Sequence, residues 1–378
     1  MAGNGRTEPI RLGLIGTGLA VAQLHWKALR QLTDRFVVTA FADRSARQGE
    51  HFSSYSGVDL ADFTADYHQL LARDDVEAVL ISVPIPDLYQ VAKDSLAAGK
   101  HVVCEKPTGT DERQARQFLA LADEYPDRTI LIGENFFYRD DIRFARALLD
   151  DDAIGEVHLM AWRVAGQIVP QEGRFNGTPW RLRPQYRGGM HLDIGIHHIA
   201  QIRMLCGDPV RAHGAVQWAN STIDSPSDLT LNLVFASGAI GNYTASYPEI
   251  AIPPEPNDMR LYGTEGVLTL DETNAQRRVT LIRPDGTTET NLFRGMDNGY
   301  YNELSNFADA IRHGAEVVGT IQQSVTNMLV ILRAMDSAEQ GVVTSLADAS
   351  PGGVPLWRPH GATGLFDGLP GERAATPA

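Results

Sequence analysis

Residues 10–20 read Ile-Arg-Leu-Gly-Leu-Ile-Gly-Thr-Gly-Leu-Ala, and they decide the fold. The apolar run Ile10 to Ile15 has the length and composition of a buried strand, and the amphipathic stretch Leu19 to Leu32 predicts a helix. Gly16-Thr17-Gly18 sits between them. Glycines at a strand-to-helix turn allow a tight bend and let the backbone approach a pyrophosphate seated on the positive helix N-terminus. Val21 occupies the third glycine position of the dinucleotide fingerprint, so the pattern by itself is only that of a tight turn; its place at the head of a strand and a helix is what raises it.

Working outward, the same grammar repeats. Val37 to Ala42, Ala78 to Val83, His101 to Cys104 and Thr129 to Gly133 read as strands. Leu88 to Ala98 and Asp111 to Tyr125 read as helices between them. Strands separated by helices predict a parallel, doubly wound α/β sheet, the Rossmann dinucleotide-binding arrangement, over residues 1–133. Beyond residue 134 strand patterns follow one another without helices: Val157 to Ala165, Ala212 to Ala219, Leu229 to Phe235, Ile240 to Tyr247, Met259 to Tyr262, Val267 to Leu270 and Arg278 to Ile282. Turns such as Pro284-Asp285-Gly286 separate them. They predict an α+β domain over 134–349 with a large, open, mainly antiparallel sheet, closed by helices Tyr301 to His313 and Ile321 to Gln340. Residues 350–378 are rich in Gly and Pro and read as an extended or partly disordered tail.

Composition bounds the partners. The 378 residues carry a formal net charge of -14, which argues against nucleic-acid and anionic-membrane partners, since both require a basic surface. Two cysteines without metal-like spacing fit a reducing compartment, no secretory leader is legible, and no run approaches the roughly 20 apolar residues of a membrane span. A cytoplasmic protein is expected.

Four further places carry chemistry. Asp43 ends the second strand, where an acidic side chain accepts hydrogen bonds from ribose hydroxyls and repels a 2′-phosphate. NAD is therefore expected, with NADP left open by Arg44 and Arg47; a helix cap is the plainer reading of Asp43. Glu105-Lys106-Pro107 puts a lysine at the carboxyl edge of the sheet beside a rigid proline, or simply on the surface. Asp193 and His197, if helical, are i,i+4 neighbours, a carboxylate–imidazole pair suited to general-base work near neutral pH or a satisfied core pair. A metal site built from His191, Asp193 and His197 or His198 is conceivable, but no HExxH or paired-cysteine pattern supports it and no metal is expected. Aromatics beside arginines at Phe136 to Arg139, Trp162-Arg163, Arg174-Phe175 and Trp180 to Arg187 suit a polyol ring, with Tyr138, Arg163, Trp180 and Arg181 the chosen contacts.

Gly16-Thr17-Gly18, Ala98-Gly99-Lys100-His101, Glu105-Lys106-Pro107, Asp193-x-Gly195-x-His197, Gly263-Thr264-Glu265-Gly266 and Asn306 to Arg312 run in order from about residue 10 to residue 341. Together they resemble the Gfo/Idh/MocA oxidoreductases, the family of glucose–fructose oxidoreductase and inositol dehydrogenase. The resemblance implies an NAD(P)-dependent dehydrogenase or reductase acting on CH–OH groups. It implies that Lys106 holds the substrate hydroxyl, that His197 takes its proton with Asp193 assisting, and that Lys106–Pro107 is compatible with a cis bond. It places the cofactor on Gly16, Thr17, Gly18, Leu19, Ala20, Asp43, Arg44, Ser82, Pro84, Glu105 and Lys106. A sugar, cyclitol or aminocyclitol, free or in a glycoside, is the expected substrate. A homodimer or homotetramer through the second sheet is the expected assembly. A glycosidase or lyase that uses tightly bound NAD, and a noncatalytic NAD(P) sensor, are the rival readings. Four departures stand out: Val21, a helix one residue longer before His25, Leu88 in place of a histidine, and Ala200 in place of an acidic residue.

Overall fold

A computed structural model describes residues 8–250, 257–273, 276–294, 298–357, 359–360 and 372–373. The chain divides into two compact units, one of Met1–Asn135, Tyr300–Ser324 and Pro359–Gly361, the other of Phe136–Gly299, Val325–Arg358 and Ala362–Ala378.

The first unit is built on six strands: β1 (Ile10–Ile15), β2 (Phe36–Ala42), β3 (Phe63–Thr64), β4 (Ala78–Ile81), β5 (His101–Glu105) and β6 (Ile130–Gly133). They pair in parallel in the order β3-β2-β1-β4-β5-β6, a doubly wound sheet that reverses direction beside β1. Ile10, Leu12, Leu14, Val79, Leu80, Val102 and Val103 are all but sealed from solvent, as strands covered on both faces must be. Crossover helices Ala46–Ser56, Ile85–Ala97 and Glu112–Glu124 cover it; Ser45 and Asp111 cap the first and last by accepting from Gln48 N and Gln114 N. The helix Tyr300–His313, which follows most strands of the second sheet in sequence, belongs here. Phe307 stacks parallel to Phe36 at 6.5 Å, and Arg35 bonds Asp309 at 2.7 Å.

The second unit carries a mixed, mostly antiparallel sheet of ten strands. They are β7 (Val157–Ala165), β8 (Pro209–Gln217), β9 (Asp228–Phe235), β10 (Ile240–Ser246), β11 (Asn257–Gly263), β12 (Val267–Thr273), β13 (Gln276–Ile282), β14 (Thr288–Phe293), β15 (Thr344–Ser345) and β16 (Glu372–Arg373). Their order is β15-β8-β9-β10-β7-β11-β12-β13-β14-β16, with β7 and β10 the parallel pair. Alternate residues of the longer strands, among them Met160, Trp162, Leu231, Tyr243, Met259 and Leu268, face helices and are buried. The helix Gly195–Cys206 lies on that face: Gln201 donates to Met259 Sδ and His198 meets Trp162 edge-on.

The opening of the C-terminal tail is anchored and carries no helix or strand from residue 351 to residue 357. Asp208 accepts from Ser350 Oγ at 2.7 Å and from the backbone N–H groups of Gly352 and Gly353 at 3.1 and 2.9 Å, and Trp357 is buried under Arg143. Residues 358, 361–371 and 374–378 of that tail lie outside the described residues.

Candidate active site

In the first unit the residues expected to hold the cofactor gather at the carboxyl ends of β1, β2, β4 and β5, the edge where open parallel sheets bind ligands. Gly16 has φ +86°, and a Cβ there would lie 2.2 Å from the Ser82 carbonyl oxygen, so no other residue fits. A Cβ on Gly18 would meet nothing within 4 Å, which leaves open space over the turn. Ser82 N donates to Ile15 O, locking β4 to β1, and Pro84 opens the next helix. The helical turn entered at Leu19 and Ala20 starts with N–H groups that have no acceptor within the helix. An open turn, a positive helix end and an adjacent carboxylate fit a dinucleotide.

Asp43 is tied into that turn. Its Oδ2 accepts from Thr17 N at 2.9 Å and Thr17 Oγ1 at 3.2 Å, while Oδ1 accepts from Ser45 N at 2.9 Å. Arg44 is exposed and pairs with Asp87 at 2.7 Å. After Ala20 the chain makes a π-helical turn, Val21–His25, before α-helical Trp26–Leu29. This turn delivers His25, which is sealed from solvent, to Glu105 at 2.7 Å (Nε2 to Oε1). This contact ties the first helix to the Glu105-Lys106-Pro107 segment, and nothing in residue spacing foretold it. Lys106 is half-buried, and the Lys106–Pro107 bond is cis.

In the second unit Asp193 closes the short helix Gly189–Asp193, and Gly195 opens the next. Every residue from Gly195 to Leu205 is buried except His197. The adjacent His198 turns inward, its Nδ1 2.6 Å from the Tyr243 hydroxyl, and burial with the nearby charges of His197, Arg139 and His191 pushes it down to about 3. His191 is sealed in the core with neither ring nitrogen hydrogen-bonded, and burial pushes it down to about 4. Of the three histidines, only His197 reaches solvent beyond a trace. Among the described residues no group of three or more His, Cys, Asp or Glu is placed to hold a metal.

Asp193 is buried and accepts from Arg181 Nε at 2.6 Å. Arg181 lies 3.9 Å from the centre of the Trp180 ring and 5.2 Å from that of Phe175, and also donates to Thr178 Oγ1 at 3.2 Å. The sequence pointed to Arg181 and Asp193 separately; the structure joins them as one ion pair on an aromatic support. Phe136 stacks on His197, ring centroids 4.9 Å apart. Two expected substrate contacts are elsewhere. Arg163 is exposed on the face of β7 opposite Trp162, because neighbouring strand residues point to opposite sides. Tyr138 is fully buried, edge-on to Trp357, and has no surface to offer.

Comparison with known proteins identifies the fold and the family. A profile described as the oxidoreductase family with an NAD-binding Rossmann fold matches residues 10–132, and the GFO/IDH/MocA C-terminal domain matches residues 142–269. The chain is 30% identical over 339 residues to dTDP-3,4-didehydro-2,6-dideoxy-alpha-D-glucose 3-reductase of Streptomyces violaceoruber, covering 83% of this chain and 90% of that one. It is 24% identical over 317 residues to inositol 2-dehydrogenase of Rhizobium meliloti, covering 82% and 90%. A crystal structure of an oxidoreductase from Thermotoga maritima superposes with a TM-score of 0.80 at 26% identity, over 90% of this chain and 99% of that one.

Proposed function

This chain belongs to the Gfo/Idh/MocA family of NAD-binding oxidoreductases, and from that premise we propose that it moves a hydride between NAD and the secondary alcohol or ketone carbon of a sugar, cyclitol or aminocyclitol, free or within a glycoside. The names of its relatives, a reductase of a nucleotide-linked deoxysugar and an inositol dehydrogenase, support that substrate class. NAD, when bound, supplies the hydride acceptor. The remaining work falls to the chain's own groups.

What supports this reading is His197, a partly exposed imidazole on a helix whose other residues from Gly195 to Leu205 are buried. In the oxidative direction it takes the hydroxyl proton. The Lys106 ammonium steadies the substrate oxygen as negative charge builds on it. Asp193, fixed by Arg181 at the end of the preceding short helix, adds a carboxylate for the proton's path. The Trp180–Arg181 pair supplies an aromatic face and a fork donor for a polyol. Gly16, Thr17, Gly18, Leu19, Ala20, Asp43, Ser82, Pro84 and Glu105 form the NAD site, and NAD is preferred over NADP because Asp43 sits where a 2′-phosphate would be repelled. Arg163 and Tyr138 have no part in it. The uncovered face of the second sheet, carrying Thr230, Asn232 and Ile240, supports assembly with further copies of the chain, to be read by light scattering.

The test is a panel of inositols, aldoses, aminocyclitols, glycosides and a nucleotide-linked sugar, followed at the nicotinamide absorbance with NAD and NADP in parallel. Stoichiometric NADH from a polyol is expected. Glycoside cleavage with no net NADH would replace this reading with a redox-assisted lyase. Lys106→Met should abolish turnover while NAD binding persists. His197→Ala should lower kcat about 100-fold or more, the scale of lost general-base catalysis; a change confined to KM would remove His197 from the proton's path.

A further inference from the structure

Phe136 opens the second unit, in the 3-10 turn Asn135–Tyr138. Its ring lies flat against the His197 imidazole, the two planes 19° from parallel. The guanidinium carbon of Arg139 sits 4.5 Å from the centre of the same phenyl ring. Arg139 is itself fixed by a two-pronged pair with Asp141, Nε to Oδ1 at 3.1 Å and Nη2 to Oδ2 at 2.6 Å. Arg139 is 7% exposed and Asp141 4%, so neither side chain has room to swing. Burial pushes the Asp141 carboxyl upward, but the charge and hydrogen bonds of Arg139 outweigh it and hold the group below the ordinary carboxylate range.

We propose that Phe136 is a positioning residue for His197, held in turn by the Arg139–Asp141 fork. The proposal rests on His197 being the proton acceptor. An imidazole on a helix turns about two side-chain bonds, and a base must aim a nitrogen lone pair along the O–H bond it breaks. Flat stacking restricts the second of those rotations. A phenyl ring does so without engaging either ring nitrogen, whereas a hydroxyl or amide in its place would compete with the substrate for them. The chain of support is thus ionic at its base, aromatic in the middle and catalytic at its tip. Sub-ångström errors at its tip are costly, because misplacing a reacting group by about 1 Å can lose about 100-fold in rate.

Phe136→Leu keeps an apolar side chain and removes the flat face; Phe136→Tyr keeps the face. Histidine-selective NMR reads the stack without any substrate: the His197 ring protons, identified by their loss in His197→Asn, carry the upfield displacement of a neighbouring aromatic ring. That displacement should vanish in Phe136→Leu and survive in Phe136→Tyr. With the best polyol of the panel, kcat of Phe136→Leu should fall about 10- to 100-fold with KM changed less than about twofold, while Phe136→Tyr restores most of it. Arg139→Met should give a smaller loss of the same kind. NAD affinity should not move in any of the three.

No displacement in the wild type, or a kcat in Phe136→Leu equal to wild type while His197→Ala is inactive, overturns the proposal. So does an equal loss in both KM and NAD affinity, the mark of general damage. A His197→Ala enzyme with full kcat removes the function beneath the proposal and the proposal with it, and the NMR signal then distinguishes that failure from a missing stack.

Discussion

In the proposed reading one carboxylate, that of Asp43, serves both the protein's own turn and the bound NAD. A carboxylate offers about four lone-pair directions. Thr17 takes two through its N–H and hydroxyl, and Ser45 N takes a third. About one direction, on Oδ1, is left for a ribose hydroxyl. Asp43→Ala therefore removes the ribose acceptor and also the anchor of the glycine turn. Hydrogen bonds to charged groups contribute about 1.5–3 kcal/mol, so NAD affinity should fall at least about tenfold. Affinity for NADP should fall less, since a repelling charge is lost too, and the NADP-to-NAD ratio should rise in a fluorescence titration. A constant ratio would leave Asp43 only its structural role. Arg44, turned to Asp87, should be replaceable by Ala with little change in NAD affinity.

Residue identity alone does not separate His197 from His198. Both follow the same glycine, and what distinguishes them is that His198 points at Trp162 and Tyr243 across the sheet, a fact of tertiary packing. Arg163 was legible in principle. Trp162 is an obvious core residue, and its strand neighbour must face the other way.

At the scale of elements, strands and helices with a strong apolar period were readable and polar ones were not. β1 and β7 match their apolar runs end to end. β14, Thr-Glu-Thr-Asn-Leu-Phe, has almost no strand signature and exists because β13 offers it a ladder from Ile282 to Arg277. The helix Asp140–Asp150 hides behind three acidic and two basic residues, its buried face being only Ile142, Ala145 and Ala147 with parts of Asp141 and Arg143. Glycines that let elements touch are equally silent in sequence. Gly214 on β8 is one: a Cβ there would lie 2.5 Å from the Ala334 carbonyl of helix Ile321–Gln340, and its N–H already donates to Ser337 Oγ at 2.9 Å. Gly214→Val must push that helix off the sheet. Overpacking of this kind costs about 1–3 kcal/mol, to be seen as a lower midpoint in thermal or urea unfolding. An unchanged midpoint would mean that the helix is not seated on β8 as described.

For the molecule as a whole, the two-part plan was readable from the switch in strand grammar near residue 134. The return of Tyr300–Ser324 to the first unit was not, because it depends on Phe307 meeting Phe36, more than 270 positions away. Stability against acid is likewise a property of the assembled core. The formal charge is -14 and the pI about 5.2, so acidifying from pH 7 toward 5 relieves net repulsion and by that effect alone should stabilise the protein. The buried histidines act the other way. His191 and His198, near 6.5 when unfolded, are pushed by burial to about 4 and about 3 in the fold, Asp228 opposing the shift at His191. Below pH 6.5 the unfolded chain binds protons that the folded chain refuses. Their contribution is complete above that pH and is lost as pH falls toward the folded values, by at most about 1.4 kcal/mol per pH unit for each group. Carboxylates held low by arginines, such as Asp141 and Glu77, begin to matter only nearer pH 4. The interval from pH 6.5 to 4.5 therefore belongs to the histidines, and Tm should fall across it although net charge shrinks down to about pH 5.2. His191 isolates the effect, because neither of its nitrogens has a hydrogen-bond partner to lose and Tyr247 and Asp228 are its polar surroundings. His191→Leu should be neutral or stabilising at pH 7 and should flatten the dependence of unfolding free energy on pH by about one proton. Identical slopes for wild type and variant would mean that His191 is protonated in the native core.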